Sequence, residues 1–114
     1  MGSMRALTLL LAAAAGLAQP PAIEERGAAA WPTRNHFRVR AAGEAPPGKP
    51  VWIDLRLPPD FNPDSVRVLA SAGAPAPART EWRPPEARIA WRSTGAPLYH
   101  VYFDTAGRGE TERL

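Results

Sequence analysis

The sequence predicts an all-β protein, a small antiparallel β-sandwich or barrel of about six strands preceded by a signal-peptide helix. Three observations point there. Apolar residues recur at every second position in several short stretches, the period of a half-buried strand. Turn residues separate these stretches, with 14 Pro and 9 Gly in a chain of 114 residues, and Pro-rich composition opposes long helices. No segment beyond the first 18 residues has the spacing of an amphipathic helix.

The N-terminus is read first because it sets the limits of the fold. Residues 1–19, MGSMRALTLLLAAAAGLAQ, carry one early charge, Arg5, and then an apolar run from Ala6 to Ala18. The run is too short for a ~30 Å hydrocarbon layer, which needs about 20 apolar residues. Gly16 and Ala18 are small residues at the −3 and −1 positions of a cut before Gln19, as in a secretory signal peptide. The expectation is therefore a secreted or periplasmic protein with no membrane contact after cleavage. Residues 19–30 hold Pro, charge and small side chains without apolar period and read as a flexible leader. Order is expected from Trp31.

The strands follow in sequence. In His36–Ala41, Phe37, Val39 and Ala41 share one face and Arg38 and Arg40 the other. Residues 43–50, GEAPPGKP, form a turn-rich connection. In Val51–Leu57, Val51, Ile53, Leu55 and Leu57 face in, while Trp52, Asp54 and Arg56 face out. Residues 58–64 read as a loop, with Asn62-Pro63-Asp64 as its turn. Ser65–Ala70 turns Val66 and Val68 inward. Residues 76–83 read as a short strand that Pro77 confines to an edge or a strand start, and 83–87 as a loop. Ala87–Arg92 sets Ile89 and Trp91 on one face, and STGAP (93–97) turns the chain. Leu98–Asp104 is the last strand, with Tyr99, Val101 and Phe103 as core and His100 and Tyr102 opposite. Asp104 reads as a strand exit that helps the following turn, and 106–114 as a polar tail that looks truncated.

Composition narrows the function. The absence of cysteine removes disulfides, thiolate catalysis and Cys-based zinc sites. The net charge of +3 and pI near 10.2 invite a nucleic-acid reading. However, the 13 arginines and one lysine form no long basic run and alternate with apolar residues, as on solvated strand faces, so no nucleic-acid partner is expected. No nucleophile elbow or Gly-rich phosphate loop occurs. His100 and Asp104 lie about 13 Å apart along a regular strand at ~3.3 Å per residue, too far for a dyad. A small hydrolase would require a cleft joining His36 or His100 to a carboxylate. No catalytic residue, metal ligand or cofactor is expected.

Four tryptophans remain. A Trp presents a flat apolar face beside a polar N–H and can stack on a sugar ring or anchor an interface. Trp52 with Arg56, and Trp82 with Arg83, are the candidate ligand-binding residues. Their arginines would hydrogen-bond hydroxyls or uronate carboxylates in bidentate fashion. The expected partner is a polysaccharide or a downstream domain. The alternative is a stand-alone protein-interaction domain.

The run Trp31…Arg34…Phe37-Arg38-Val39, Pro50-Val51-Trp52-Ile53-Asp54-Leu55, Pro63-Asp64-Ser65-Val66-Arg67-Val68, Ile89-Ala90-Trp91 and Tyr99-His100-Val101-Tyr102-Phe103-Asp104 resembles N-terminal β-sandwich modules of large secreted bacterial proteins. These include the DUF2341-like modules and the rhamnogalacturonan-lyase-like N-terminal RIFT-barrel modules. The resemblance covers residues 31–105 and implies a non-catalytic accessory domain beside other extracellular modules. It transfers no site residue. Such modules are normally followed by much more chain, so the resemblance implies the amino-terminal piece of a longer protein.

Overall fold

A computed structural model describes residues 22–106. The signal-peptide stretch and most of the polar tail lie outside the described residues, as does the beginning of the leader. Seven strands make two antiparallel sheets. We number them β1 (Ile23–Glu25), β2 (Phe37–Ala42), β3 (Pro50–Arg56), β4 (Phe61–Ala70), β5 (Ala78–Arg83), β6 (Glu86–Arg92) and β7 (Leu98–Thr105). The larger sheet has the order β1-β2-β7-β4 and the smaller the order β3-β6-β5.

The connections β2 to β3, β3 to β4, β4 to β5 and β6 to β7 each pass from one sheet to the other. The β2–β3 and β4–β5 arches therefore flank the β6–β7 arch, a jelly-roll winding with fewer strands than the usual eight. Phe61 of β4 meets Trp82 of β5 and Tyr99 of β7 meets Trp91 of β6, and with the strand orders these contacts set β2 over β3. On the β4–β5 side the layers are tied: Leu69 bridges Pro75, and the Ala76 N–H donates to the Val68 carbonyl at 2.9 Å. No ladder joins the two sheets among the described residues, so the form is a sandwich and not a closed barrel. β1 is the fourth strand of the larger sheet, and among the described residues the smaller sheet has no strand to place beneath it.

Alternation fills the core as expected. Val39, Ala41, Ile53, Leu55, Val68, Ile89, Trp91, Tyr99, Val101 and Phe103 are all buried between the layers. One end is closed by an aromatic chain drawn from both sheets. Phe37 stacks on Phe103 at 5.4 Å, Phe103 meets Phe61 edge-on at 5.6 Å, and Phe61 meets Trp82 edge-on at 4.9 Å. At the other end Trp91 packs on Tyr99 at 5.2 Å. There the Tyr99 hydroxyl accepts from the Thr94 N–H at 2.8 Å, and the Ser93 hydroxyl accepts from the Gly95 N–H at 2.9 Å. The buried phenol thus pins the turn that precedes its own strand.

Three segments depart from the sequence expectation. Ile23–Glu25, inside the stretch read as flexible leader, forms β1 because Glu24 finds Arg38 across the ladder at 2.7 Å. β4 begins at Phe61, not Ser65. Asn62-Pro63-Asp64 does turn locally, with the Asn62 side chain accepting from the Asp64 N–H at 3.0 Å, but it turns as a bulge inside the strand. Pro63 is tolerated there because the ladder is interrupted between Asn62 and Arg67. The loop expected at 83–87 shrinks to Pro84-Pro85, and Arg83 stands opposite Glu86.

Gly95 has φ of +90°, and a Cβ there would meet the Pro47 ring at 3.2 Å. Both the backbone and the contact disfavour a side chain, so Gly95→Ala should lower the unfolding free energy by about 1–2 kcal/mol. Urea denaturation checks this, and an unchanged midpoint would contradict it.

Candidate functional site

The register places the sequence-predicted residues unequally. On the smaller sheet, rows of directly opposed residues run Trp52–Ala90–Arg79, Asp54–Arg88–Glu81 and Arg56–Glu86–Arg83. All nine side chains stand on the outer face, because their neighbours Ile53, Leu55, Ala87 and Ile89 point into the core. Trp52, Arg56 and Arg83 are thus brought to one surface. Trp82 is not. It lies opposite Ala87, on the inner face, half-buried against the core and Phe61. Trp52 and Trp82 therefore occupy opposite faces of the sheet and cannot form one stacking platform.

The outer face is a lattice of alternating charge. Arg88 grips Asp54 with two bonds, Nε to Oδ1 at 2.8 Å and Nη2 to Oδ2 at 3.1 Å. Its guanidinium also lies over the Trp52 ring, with Cζ 5.2 Å from the centroid. Arg56 donates to Glu86 at 2.8 Å. The hydrogen bond that Arg88 donates to Asp54, followed by the charges of Asp54 and Glu81, raises the Arg88 pKa further, so this cation is permanent. Each exposed pair contributes little to stability, about 0.2–1 kcal/mol. The lattice matters instead as a patterned surface: Arg56 remains 74% exposed in its side chain and Asp54 49%.

Part of the outer face of the larger sheet, around Tyr102 and Asp104, is covered by its own chain. The loop between β1 and β2 lays Trp31 on Tyr102, with ring centroids 5.5 Å apart. Arg38 sits over Trp31 at 4.8 Å and Arg26 at 6.0 Å. Arg26 in turn donates to the carbonyls of Thr33 and Asn35 at 3.0 and 2.9 Å. This explains Tyr102, an outward residue by alternation that is 0% exposed.

Beneath this cap lies a cluster that strand alternation did not reveal. Asp104 is 1% exposed, so it is a buried anchor and not a turn former. Its carboxylate accepts from Asn35 Nδ2 at 2.8 Å and from the His36 N–H at 2.8 Å. Its backbone N–H donates to Ser65 Oγ at 2.7 Å, and Ser65 Oγ donates to the Asn62 carbonyl at 2.6 Å. Asn35 also donates to the Ser65 carbonyl at 3.0 Å. Apart from the local Ser65–Asn62 bond, the partners come from positions 30 to 69 residues apart in the chain, a separation that no local motif encodes.

His36 and a carboxylate do meet here, with Nδ1 3.4 Å from Asp104 Oδ1. The contact makes no hydrogen bond, and Nδ1 is sealed from solvent. Both carboxylate oxygens are already engaged by Asn35 and by the His36 backbone. The Ser65 hydroxyl bonded at Asp104 is committed to the strand bulge. The arrangement holds a loop on a sheet and presents no activated nucleophile. His100 meets Tyr102, with Nδ1 3.5 Å from the hydroxyl. Among the described residues no group of three or more His, Asp or Glu is placed to hold a metal ion, and no helix is long and apolar enough to cross a membrane.

Two of the titrating groups on this face set a pH dependence. Burial, then Arg38 and Arg40, hold His100 below its ordinary value of 6.5. The hydrogen bond from Arg38 holds Glu24 below 4.5. Both groups have depressed folded-state values, so both contribute stability that is present at higher pH and lost on acidification. Thermal midpoints should hold steady above pH 7 and fall as the pH drops below 6.5. His100→Gln should remove the upper part of that fall, and a variant that retained it would contradict the assignment.

Three substitutions separate structural from surface roles. Asp104→Ala strands buried donors and should cost about 3 kcal/mol or more. Trp82→Ala opens the aromatic end of the core and should cost about 2–4 kcal/mol. Trp52→Ala should cost under about 1 kcal/mol. Chemical denaturation of the three variants gives the order directly, and a Trp52 cost equal to that of Trp82 would contradict the facing assigned to them.

The chain matches no family model, no curated protein and no solved structure.

Proposed function

We propose that this chain is a non-catalytic extracellular accessory module that works by packing the outer face of its smaller sheet against a neighbouring domain or chain. The observation that carries the reading is the division of the candidate residues. Trp52, Arg56 and Arg83 share the outer face with Asp54, Glu81, Glu86 and Arg88, while Trp82 belongs to the core. A lone Trp whose ring is already roofed by a guanidinium is a poor platform for a sugar. Aromatic and Arg side chains among complementary charges suit a protein surface, where Trp and Arg are favoured and charge pattern sets register.

The extracellular part of the reading rests on the N-terminal signal sequence, and the accessory role on the resemblance to modules of large secreted bacterial proteins. On the larger sheet the Trp31 loop covers the part around Tyr102 and Asp104, whereas on the smaller sheet Asp54, Arg56, Glu86 and Arg88 stay about half exposed or more.

Carbohydrate binding is the competing reading, favoured by the half-buried Trp52 beside Arg56 and Asp54. Intrinsic Trp fluorescence of the chain, titrated with neutral and acidic polysaccharides alongside Trp52→Ala, decides between them. The packing reading predicts no saturable change with any glycan. A saturable change that Trp52→Ala abolishes would replace it with glycan binding.

A further inference from the structure

Among the described residues the smaller sheet ends at β3 with one side of the strand unpaired, and the hydrogen-bond parity states which groups are free. The Ser93 N–H donates to the Lys49 carbonyl at 2.7 Å, and the Leu57 N–H donates to the Pro85 carbonyl at 2.9 Å. With the β3–β6 register between them, the N–H and C=O groups of positions 51, 53 and 55 point to β6. Those of Trp52, Asp54 and Arg56 point the other way. Among the described residues no backbone bond outside the sheets reaches them.

The layer above leaves room beside this edge. Ile23 stands opposite Val39 and shares its inward face, yet Val39 is 0% exposed and Ile23 is 46% exposed. Ile23 is the one exposed large hydrophobic among the described residues. Val39 belongs to the buried core, whereas among the described residues no strand of the smaller sheet is placed beneath Ile23.

We infer that this position receives an extended segment of a partner protein, added antiparallel to β3 as a fourth strand of the smaller sheet. The inference deepens the packing role proposed above and rests on it. Strand addition satisfies the free backbone groups at an edge, and alternate side chains give specificity. Here the chemistry of the segment is set by the lattice. The residue opposite Asp54 is basic and the residue opposite Arg56 is acidic, since opposed charges attract across a ladder and like charges repel. One row then reads base, Asp54, Arg88, Glu81, and the next reads acid, Arg56, Glu86, Arg83, with charge alternating throughout. The residues between them are apolar and fill the space under Ile23.

A second copy of this chain meets the charge rule in part. About a two-fold axis at Leu55, each Asp54 would face the other copy's Arg56. Such a copy also brings its own β2 into the layer that β1 occupies. The occupant is therefore a single strand with no second layer at its back.

The test uses two synthetic peptides, blocked at both ends. Thr-Val-Glu-Val-Arg-Val-Thr places Glu opposite Arg56 and Arg opposite Asp54 in the antiparallel register. Thr-Val-Arg-Val-Glu-Val-Thr exchanges the two charges and changes nothing else. Titration calorimetry with the intact chain should show saturable binding of the first and at least about tenfold weaker binding of the second. Equal affinities, a reversed preference, or no binding by either peptide would overturn the inference. Sedimentation over a range of protein concentrations should show a monomer, and a dimer that the first peptide fails to dissociate would assign the edge to a second copy instead. Failure with both peptides leaves the packing role to the glycan titration, so the two readings fail separately.

Discussion

Four strands lie over three in this sandwich, and that mismatch shapes what is covered and what is open. At the β4–β5 side the two layers are tied by the Leu69–Pro75 bridge and the Ala76–Val68 hydrogen bond. The surplus strand therefore falls at the opposite side, where β1 reaches past β3. Sheet edges expose obligatory donors and acceptors that a protein must pair, cover or charge. β4 is covered by its own connection to β5. β3 is only charged, and its charges are of both signs. A single sign would repel every approaching strand, whereas Asp54 and Arg56 reject some sequences and admit others.

The larger sheet solves a different problem. Its outer face carries Tyr102 and Asp104, a large ring and a carboxylate that alternation alone would leave facing water. The loop between β1 and β2 covers both. Trp31 stacks on Tyr102, and Asn35 and the His36 backbone satisfy Asp104. Asp104 thereby joins the last strand, the loop before β2 and the bulge of β4. A buried carboxylate is tolerated only where donors surround it, so the three segments must arrive together. This is a device for specificity, and it commits the carboxylate beside His36 to holding the loop.

Much of the fold was legible because the dominant signal was local. Alternation in Val51–Leu57 and Leu98–Asp104 assigned Ile53, Leu55, Tyr99, Val101 and Phe103 to the core, and the structure buries all of them. Trp82 shows where alternation needs an anchor. Its strand holds few apolar residues, and only the pairing of Trp82 with Ala87 fixes its face. Taken with its neighbour Arg83, it looked like a surface residue. The Asn62-Pro63-Asp64 turn was legible as a turn but not as a bulge, since nothing in the three residues says that Asn62 will pair with Asp104 before the kink. The Asp104 cluster was illegible for the same reason: its contacts span most of the chain. β1 was missed because three residues of mixed polarity carry no period, and their order comes from Glu24 meeting Arg38 across the ladder.

The candidate surface was half legible. Trp52 and Arg56 were found by counting outward positions and Arg83 as the neighbour of Trp82 near a loop, but the partners that turn them into a lattice, Glu81, Glu86 and Arg88, became visible only with the register. The open edge of β3 follows from parity and stacking together. Amide hydrogen exchange of the free chain, read residue by residue along β3, tests that claim most directly. The account predicts alternation, with slow exchange at Val51, Ile53 and Leu55 and fast exchange at Trp52, Asp54 and Arg56. Uniform protection along the strand would mean that the edge is already paired and would contradict it.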